Sequence, residues 1–199
     1  DFRRLNIYIT IADESGWDDW KTQYPPIPMT DNLTIIPDWS DYMPREGEHI
    51  IRIEPGIAFG TGDHPTTRLA IQAMAQYLTP DSTVFDVGTG SGIIALSAGA
   101  LGAQSVTAFD LDETATANAR NHVAMNQLES VVTVQTNNLL EGVAETASLI
   151  VANIISPILL RLLDDAYRCL EPKGVFIMSG IQEGEEQELI NAANDVGFV

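Results

Sequence analysis

Three glycines at alternate positions, Gly88, Gly90 and Gly92, stand between two carboxylates at informative distances. Asp86 lies two residues before the first glycine, and Asp110 lies 22 residues after it. Glycine has no Cβ, so such a run lets the backbone turn tightly and lets a ligand come close to the peptide groups. An acid about 20 residues further on, at the end of the next apolar run, is placed to accept hydrogen bonds from both hydroxyls of a ribose. The chemistry suggested is the binding of a nucleoside-bearing small molecule. The triplet alone is a weak signal, because ordinary turns also use glycine. The triplet with both acids in place is a strong one. The spacing is G-x-G-x-G, not the G-x-G-x-x-G of dinucleotide turns.

A second candidate region lies upstream, at Phe59-Gly60-Thr61-Gly62-Asp63-His64-Pro65-Thr66-Thr67. Beyond Ile57 this stretch has no long aliphatic side chain, so it reads as a ligand-wrapping loop and not as core. Its threonines can hydrogen-bond, and Phe59 can stack on a ring or face a cation. A helix is expected to follow over 66–78, capped by Asp63 or Thr66, and its first N–H groups would suit a carboxylate. A metal site is disfavoured: His49, His64 and His122 are scattered, with no second ligand at usable spacing. Cys169, the one cysteine, falls in an apolar helical pattern and reads as core.

The elements that must position these residues alternate from residue 65 onward. Thr83–Val87 reads as a strand running into the glycines, and the apolar pattern Ile93, Ile94, Leu96, Ala98 and Leu101 as the helix behind them. Strands are expected at 105–109, 131–135, 148–152 and 175–178, with helices over 112–126, 157–170 and 183–196. Lys173-Gly174 is read as a turn. This order predicts an α/β, doubly wound, mostly parallel sheet with right-handed crossovers. Ligands then sit at the carboxyl ends of the strands, where Gly88, Asp110, Asn137, Asn138 and Asn153 all fall. Before residue 65 the pattern is sparser. A strand is read at 1–11, a helical face carrying Trp17, Trp20 and Tyr24 at 13–24, a break at Pro25, Pro26 and Pro28, and strands at 33–36 and 49–54.

The 199 residues suffice for one sizeable domain and a small appendage, and 45% apolar content predicts a packed core. The net charge of −18 disfavours a nucleic-acid partner, because phosphate neutralisation needs basic groups. It fits a basic protein or peptide better. A single cysteine suits a reducing compartment. No apolar run approaches the roughly 18 residues of a membrane span, so no membrane partner is expected. The start lacks a methionine and the end, Val196-Gly197-Phe198-Val199, stops where a strand should begin, so both ends read as truncated.

The acid-flanked glycine turn resembles the first motif of the S-adenosylmethionine-dependent methyltransferases. With Phe59-Gly-Thr-Gly-Asp-His-Pro-Thr-Thr67 before it and Asn153-Ile-Ile155 after the fourth strand, the chain is similar to the ribosomal protein L11 methyltransferases. Trp17-Asp-Asp-Trp-Lys21 and Leu33-Thr-Ile-Ile-Pro-Asp-Trp39 resemble that family's linker and the entry to its catalytic domain. The resemblance covers roughly residues 13–199. It implies S-adenosyl-L-methionine as cofactor, a large-subunit ribosomal protein as substrate, methylation of lysine and N-terminal amino groups, and a cytoplasmic location. It assigns Thr67, Gly88, Asp110 and Asn153 to the cofactor, together with Asp86 and Gly90 of the turn. Phe59, Gly60 and Thr61 match the loop that closes over the cofactor and shapes the methyl exit. Asn153 also matches the position expected near the transferred methyl, where its carbonyl could hold the amine. Two departures stand out. Asp63 replaces an often uncharged residue. The family's N-terminal substrate-recognition domain is represented here by residues 1–11 at most, so residues 1–48 are read as its remnant plus a linker and 49–199 as the methyltransferase domain.

Three other readings stay open: a methyltransferase on another protein or small amine, a cofactor-binding module without activity, and a nicotinamide-dependent dehydrogenase. The last predicts G-x-G-x-x-G and a proton-transfer pair such as Tyr and Lys, and the sequence shows neither. No side chain stands out as a general base.

Overall fold

A computed structural model describes residues 24–55 and 64–199. The strand expected at 1–11, the helical face at 17 and 20, and the loop residues Phe59, Gly60 and Thr61 lie outside the described residues.

The first described elements form a three-stranded sheet: β1 (Ile27–Thr30), β2 (Leu33–Pro37) and β3 (His49–Ile53). β2 is central, antiparallel to β1 and parallel to β3. The strand β1 went unread in the sequence because of Pro28 and the prolines just before it. Among the described residues β1 is an edge strand, and its register shifts between Pro28 and Thr30, both settings in which a strand tolerates proline. β3 belongs to this sheet and not to the large one.

Five strands form the large sheet: β4 (Thr83–Val87), β5 (Ser105–Asp110), β6 (Val132–Thr136), β7 (Ala147–Asn153) and β8 (Leu170–Ser179). All pairs are parallel, in the order β6-β5-β4-β7-β8. Among the described residues there are five helices: α1 (Pro65–Tyr77), α2 (Ile93–Ala100), α3 (Glu113–Met125), α4 (Ser156–Cys169) and α5 (Glu186–Val196). The fold is thus the expected doubly wound, Rossmann-like α/β sheet. Strand order runs outward from β4 in one direction through β5 and β6, then restarts on its other side with β7. The crevice at this reversal, outside the carboxyl ends of β4 and β7, is where such sheets place ligands.

Strand alternation sorts the core into two layers. Val84, Val106, Ala108, Leu149 and Val151 face the side of α1, α2 and α3, over which the small sheet lays Leu33, Ile35, Ile51 and Ile53. Phe85, Val87, Phe109, Ile150 and Ala152 face α4 and α5, with Phe85 and Phe109 edge to face at 5.3 Å. Cys169 is fully buried in this second layer, as its pattern suggested, and burial pushes its thiol up from the ordinary value.

The turn read at Lys173-Gly174 is absorbed into β8. The register jumps from Ala147↔Leu170 to Leu149↔Val175, a bulge, and Lys173 takes φ +69° to make it.

Candidate functional site

The glycine turn leaves β4 with Gly88 at φ +76° and enters α2 with Gly92 at φ +86°. A Cβ on Gly88 would stand 2.5 Å from Ile154 Cγ2, so this position admits only glycine on two grounds, backbone conformation and space. The turn is pinned to the next strand. The N–H groups of Gly88 and Thr89 both donate to the Phe109 carbonyl, at 2.8 and 2.9 Å. Gly90 N–H donates to Asp110 Oδ2 at 2.8 Å, and Asp112 N–H to Asp110 Oδ1 at 3.0 Å. Asp112 in turn caps α3 by accepting from Thr114 N–H. Asp110 is therefore held at a fixed angle. An ionised carboxylate offers about four lone-pair sites, so two remain for outside donors.

Asp86 faces inward. Its Oδ2 accepts from Thr89 Oγ1 at 2.6 Å and from Ala95 N–H in the first turn of α2 at 3.0 Å. Its Oδ1 is buried with no partner among the described residues. Burial, against the pull of those two bonds, pushes the carboxyl up to about 6. Asp86 thus ties strand, turn and helix together from below.

Asn153 closes β7 beside the turn. Its Nδ2 donates to Thr67 Oγ1 at 3.2 Å, across 86 residues of chain, while its Oδ1 is buried without a partner among the described residues. Thr67 itself is buried in the first turn of α1. That helix is capped by His64, whose Nδ1 accepts from Thr66 N–H, and not by Asp63 or Thr66 as expected. Pro65 decides the frame. It is favoured at the first helical position, which makes the preceding residue the cap. Ser179 at the end of β8 donates to the Thr66 carbonyl at 3.0 Å and holds this helix start over the sheet.

Two clefts meet at Asn153, Ile154 and Ile158. The first, of about 290 Å³, holds Gly88, Gly90, Asp110, Asn137 and Asn138 at the strand ends, with Leu111 and Leu139 as apolar walls. Leu111 is 68% exposed and offers an apolar wall at the rim of this cleft. Leu139 takes φ +52°, which is strained for a leucine. The Asn137 amide folds this loop by donating to the Leu139 and Glu141 carbonyls. The second cleft, of about 480 Å³, lies between α1 and β8 and is walled by Ile154, Ile155, Ile158 and Ile181, with His64, Thr66 and Gln182 at its polar end.

Of the nine residues singled out from sequence, Thr67, Gly88, Gly90, Asp110 and Asn153 line adjoining clefts at the strand ends, while Asp86 lies beneath the turn and lines none of them. The sequence reading quoted Ile154 only as part of Asn153-Ile-Ile155 and missed Ile158, which with it lines both clefts; it also missed the bonds by which His122 and Asn126 tie α3 to Glu54 and Arg52. Ile158, His122 and Asn126 carry no motif. Only the β7-to-α4 connection places the first, and only the packing of α3 the other two.

The donor set fits an S-adenosyl group: an acid with spare acceptor sites at ribose position, a turn with no Cβ where a ligand passes, apolar walls for a base and a buried acceptor at the far end. The family described as "Ribosomal protein L11 methyltransferase (PrmA)" matches residues 2–199. A curated relative named "Ribosomal protein L11 methyltransferase" from Listeria welshimeri is 44% identical over 98% of this chain and 63% of its own. One of the same name from Geobacillus kaustophilus is 44% identical over 100% of this chain and 64% of its own. The chain therefore spans under two thirds of the length of these relatives. The crystal structure of a ribosomal protein L11 methylase from Lactobacillus delbrueckii subsp. bulgaricus superposes with a TM-score of 0.83 at 37% identity, over 88% of this chain and 90% of that one.

Proposed function

The chain belongs to the ribosomal protein L11 methyltransferase family, and from that premise we propose that it transfers methyl groups from S-adenosyl-L-methionine to lysine and N-terminal amino groups of ribosomal protein L11. The observation that carries this reading is Asn153. Its buried Oδ1, without a partner among the described residues, stands at the seam of a nucleoside-sized cleft and an apolar cleft, where two reactants would meet.

When bound, S-adenosyl-L-methionine would supply an electrophilic sulfonium methyl: an uncharged amine nitrogen would bond to that carbon as the C–S bond breaks, its electrons going to sulfur, and the resulting ammonium would release its proton to water. The chain's own residues position the partners. Asp110, braced by two backbone N–H groups, offers its remaining lone pairs to ribose hydroxyls. Asp86 and Thr89 keep the turn in shape from beneath. Asn153 Oδ1 accepts an N–H of the incoming amine and so aims its lone pair, while Thr67 fixes the amide's rotation. Ile154, Ile155 and Ile158 exclude water and leave a channel suited to an aliphatic stem. The excess of 28 acidic over 10 basic residues attracts a basic ribosomal protein, and such a substrate places the reaction in the cytoplasm.

Calorimetric titration tests the cofactor step. S-adenosyl-L-methionine binds and NAD does not, and Asp110→Ala weakens binding by about 100-fold through two lost charged hydrogen bonds. Equal binding of NAD would refute the assignment. Incubation with L11 and, separately, a small alkylamine tests the acceptor. Methyl transfer to both at equal efficiency would refute a protein substrate.

A further inference from the structure

His122 lies on α3, touches neither cleft, and is buried to 1% exposure. Its Nδ1 lies 2.8 Å from the Ser91 carbonyl, between Gly90 and Gly92. Its Nε2 lies 3.0 Å from Glu54 N–H, one residue beyond β3. A carbonyl can only accept and an amide N–H can only donate. The ring is therefore the neutral tautomer with its proton on Nδ1. One helical turn on, Asn126 Oδ1 accepts from Arg52 N–H at 2.7 Å and its Nδ2 donates to the Arg52 carbonyl at 2.7 Å. The outer edge of β3, opposite β2, is thus met at alternate residues 52 and 54 by two side chains of α3, as a further strand would meet it. The two do different things. Asn126 joins β3 to its own helix, while His122 joins β3 to the glycine turn.

We propose that His122 is a positioning residue that couples the small sheet to the glycine turn. It holds the Ser91 carbonyl, and with it the peptide planes on either side, in the orientation that the turn needs to receive S-adenosyl-L-methionine. This rests on the reading of that turn as the cofactor site. The coupling runs both ways, since a ligand that fixes the turn also fixes what the turn is bonded to. Filling the cofactor site tightens the end of β3 from a distance, through one imidazole.

The test compares His122→Ala, His122→Gln and Asn126→Ala in this chain, by calorimetry with S-adenosyl-L-methionine and by amide hydrogen exchange at residues 49–54. In the wild type the cofactor slows exchange at Glu54. Asn126→Ala lowers the melting temperature yet keeps affinity within about twofold and keeps that protection. His122→Ala weakens affinity by about 10-fold or more and loses the protection. His122→Gln, which can still accept from Glu54 and donate to Ser91, recovers most of both, and carries the comparison should the alanine variant fail to fold. Unchanged affinity in His122→Ala and His122→Gln overturns the proposal. So does an equal loss in Asn126→Ala, which would make the helix–strand join a general anchor. A wild type that binds no S-adenosyl-L-methionine, with Asp110→Ala indistinguishable from it, instead removes the cofactor reading beneath the proposal.

Discussion

Two shielded carboxylates, Glu48 just before β3 and Asp86 in β4, are treated in opposite ways. Glu48 has its side chain 2% exposed and is saturated with donors. Thr34 Oγ1 donates at 2.6 Å, the Tyr42 hydroxyl lies 3.0 Å from Oε2, and Arg45 donates through Nη2 at 2.9 Å and through its backbone N–H at 2.8 Å. The Arg45 guanidinium, helped by Thr34 and the Arg45 backbone, draws the carboxyl down to about 2. Asp86 under the glycine turn has two donors, one orphaned oxygen and a carboxyl pushed up to about 6. Glu48 spends its bonding capacity on partners in and beside the small sheet. The turn leaves capacity unspent, and so does Asn153 at the seam of the clefts. Unsatisfied buried groups cost stability; of the three among the described residues, Asn153 Oδ1 lines the crevice where ligands belong, Asp86 Oδ1 lies beneath the glycine turn, and Asn118 Nδ2 on α3 lines neither cleft.

The largest expected effect falls on the turn. Gly88→Ala places a methyl 2.5 Å from Ile154 Cγ2 at φ +76°. It costs roughly 3 kcal/mol of stability, about half from the left-handed backbone and half from the clash. It also abolishes S-adenosyl-L-methionine binding, because the Cβ and the displaced Ile154 occupy the approach to the turn. Thermal melting and calorimetry read the two effects. Retained affinity would show that the cofactor does not pass Gly88. Gly47→Ala, also at positive φ but with open space around it in the small-sheet loop, shows the backbone cost alone and unchanged binding.

The next effect separates the carboxylates by the sign of their pH dependence. Between its ordinary 3.8 and about 6, folded Asp86 holds a proton that the unfolded chain has released. Its contribution is therefore complete below about 4 and is lost as pH rises through about 6, a difference of roughly 3 kcal/mol for a shift near two pH units. Asp86→Asn removes that slope. Glu48 runs the other way. Its contribution is complete above its ordinary 4.5 and is lost as pH falls toward about 2. Glu48→Gln flattens only this acid limb and leaves cofactor affinity unchanged. Denaturant midpoints measured from pH 3 to 7 distinguish the two, and slopes of the same sign would undo the comparison.

How much was legible in the sequence follows the same division. The large sheet could be read because its strands are apolar runs closed by residues with a conformational job: Gly88 after Val87, Asp110 ending β5, Asn153 ending β7. Asp112 and Asn126 marked both ends of α3. What could not be read depends on contacts distant in sequence. β1 hides behind prolines that a strand tolerates only at an edge or a bulge, and the β8 bulge looks like a turn until β7 supplies a partner across it. His122 appears as one of three scattered histidines, and only the packing of α3 shows that both its nitrogens are spent on backbone. One site was implied by the strand ends, but its division into two clefts that meet at Ile154 and Ile158 depends on where α4 starts.

The smallest effect extends the comparison to the backbone. Leu139 at φ +52° and Lys173 at φ +69° are both left-handed without being glycine. Lys173 is exposed, in the β8 bulge, and holds nothing but the chain's path. Lys173→Gly relieves its strain and stabilises the protein by about 0.5–1 kcal/mol, the relief being partly offset by the freer unfolded chain. Cofactor affinity does not change. Leu139→Gly relieves the same kind of strain but removes an apolar wall of the first cleft, so its gain in stability is smaller and its affinity for S-adenosyl-L-methionine falls by about 10-fold. If Leu139→Gly bound as tightly as the wild type, the strained leucine would belong with Lys173, as a feature of the chain's path alone. A weaker binder places it with Asp86 and Asn153, where strain and unspent bonding capacity serve the ligand.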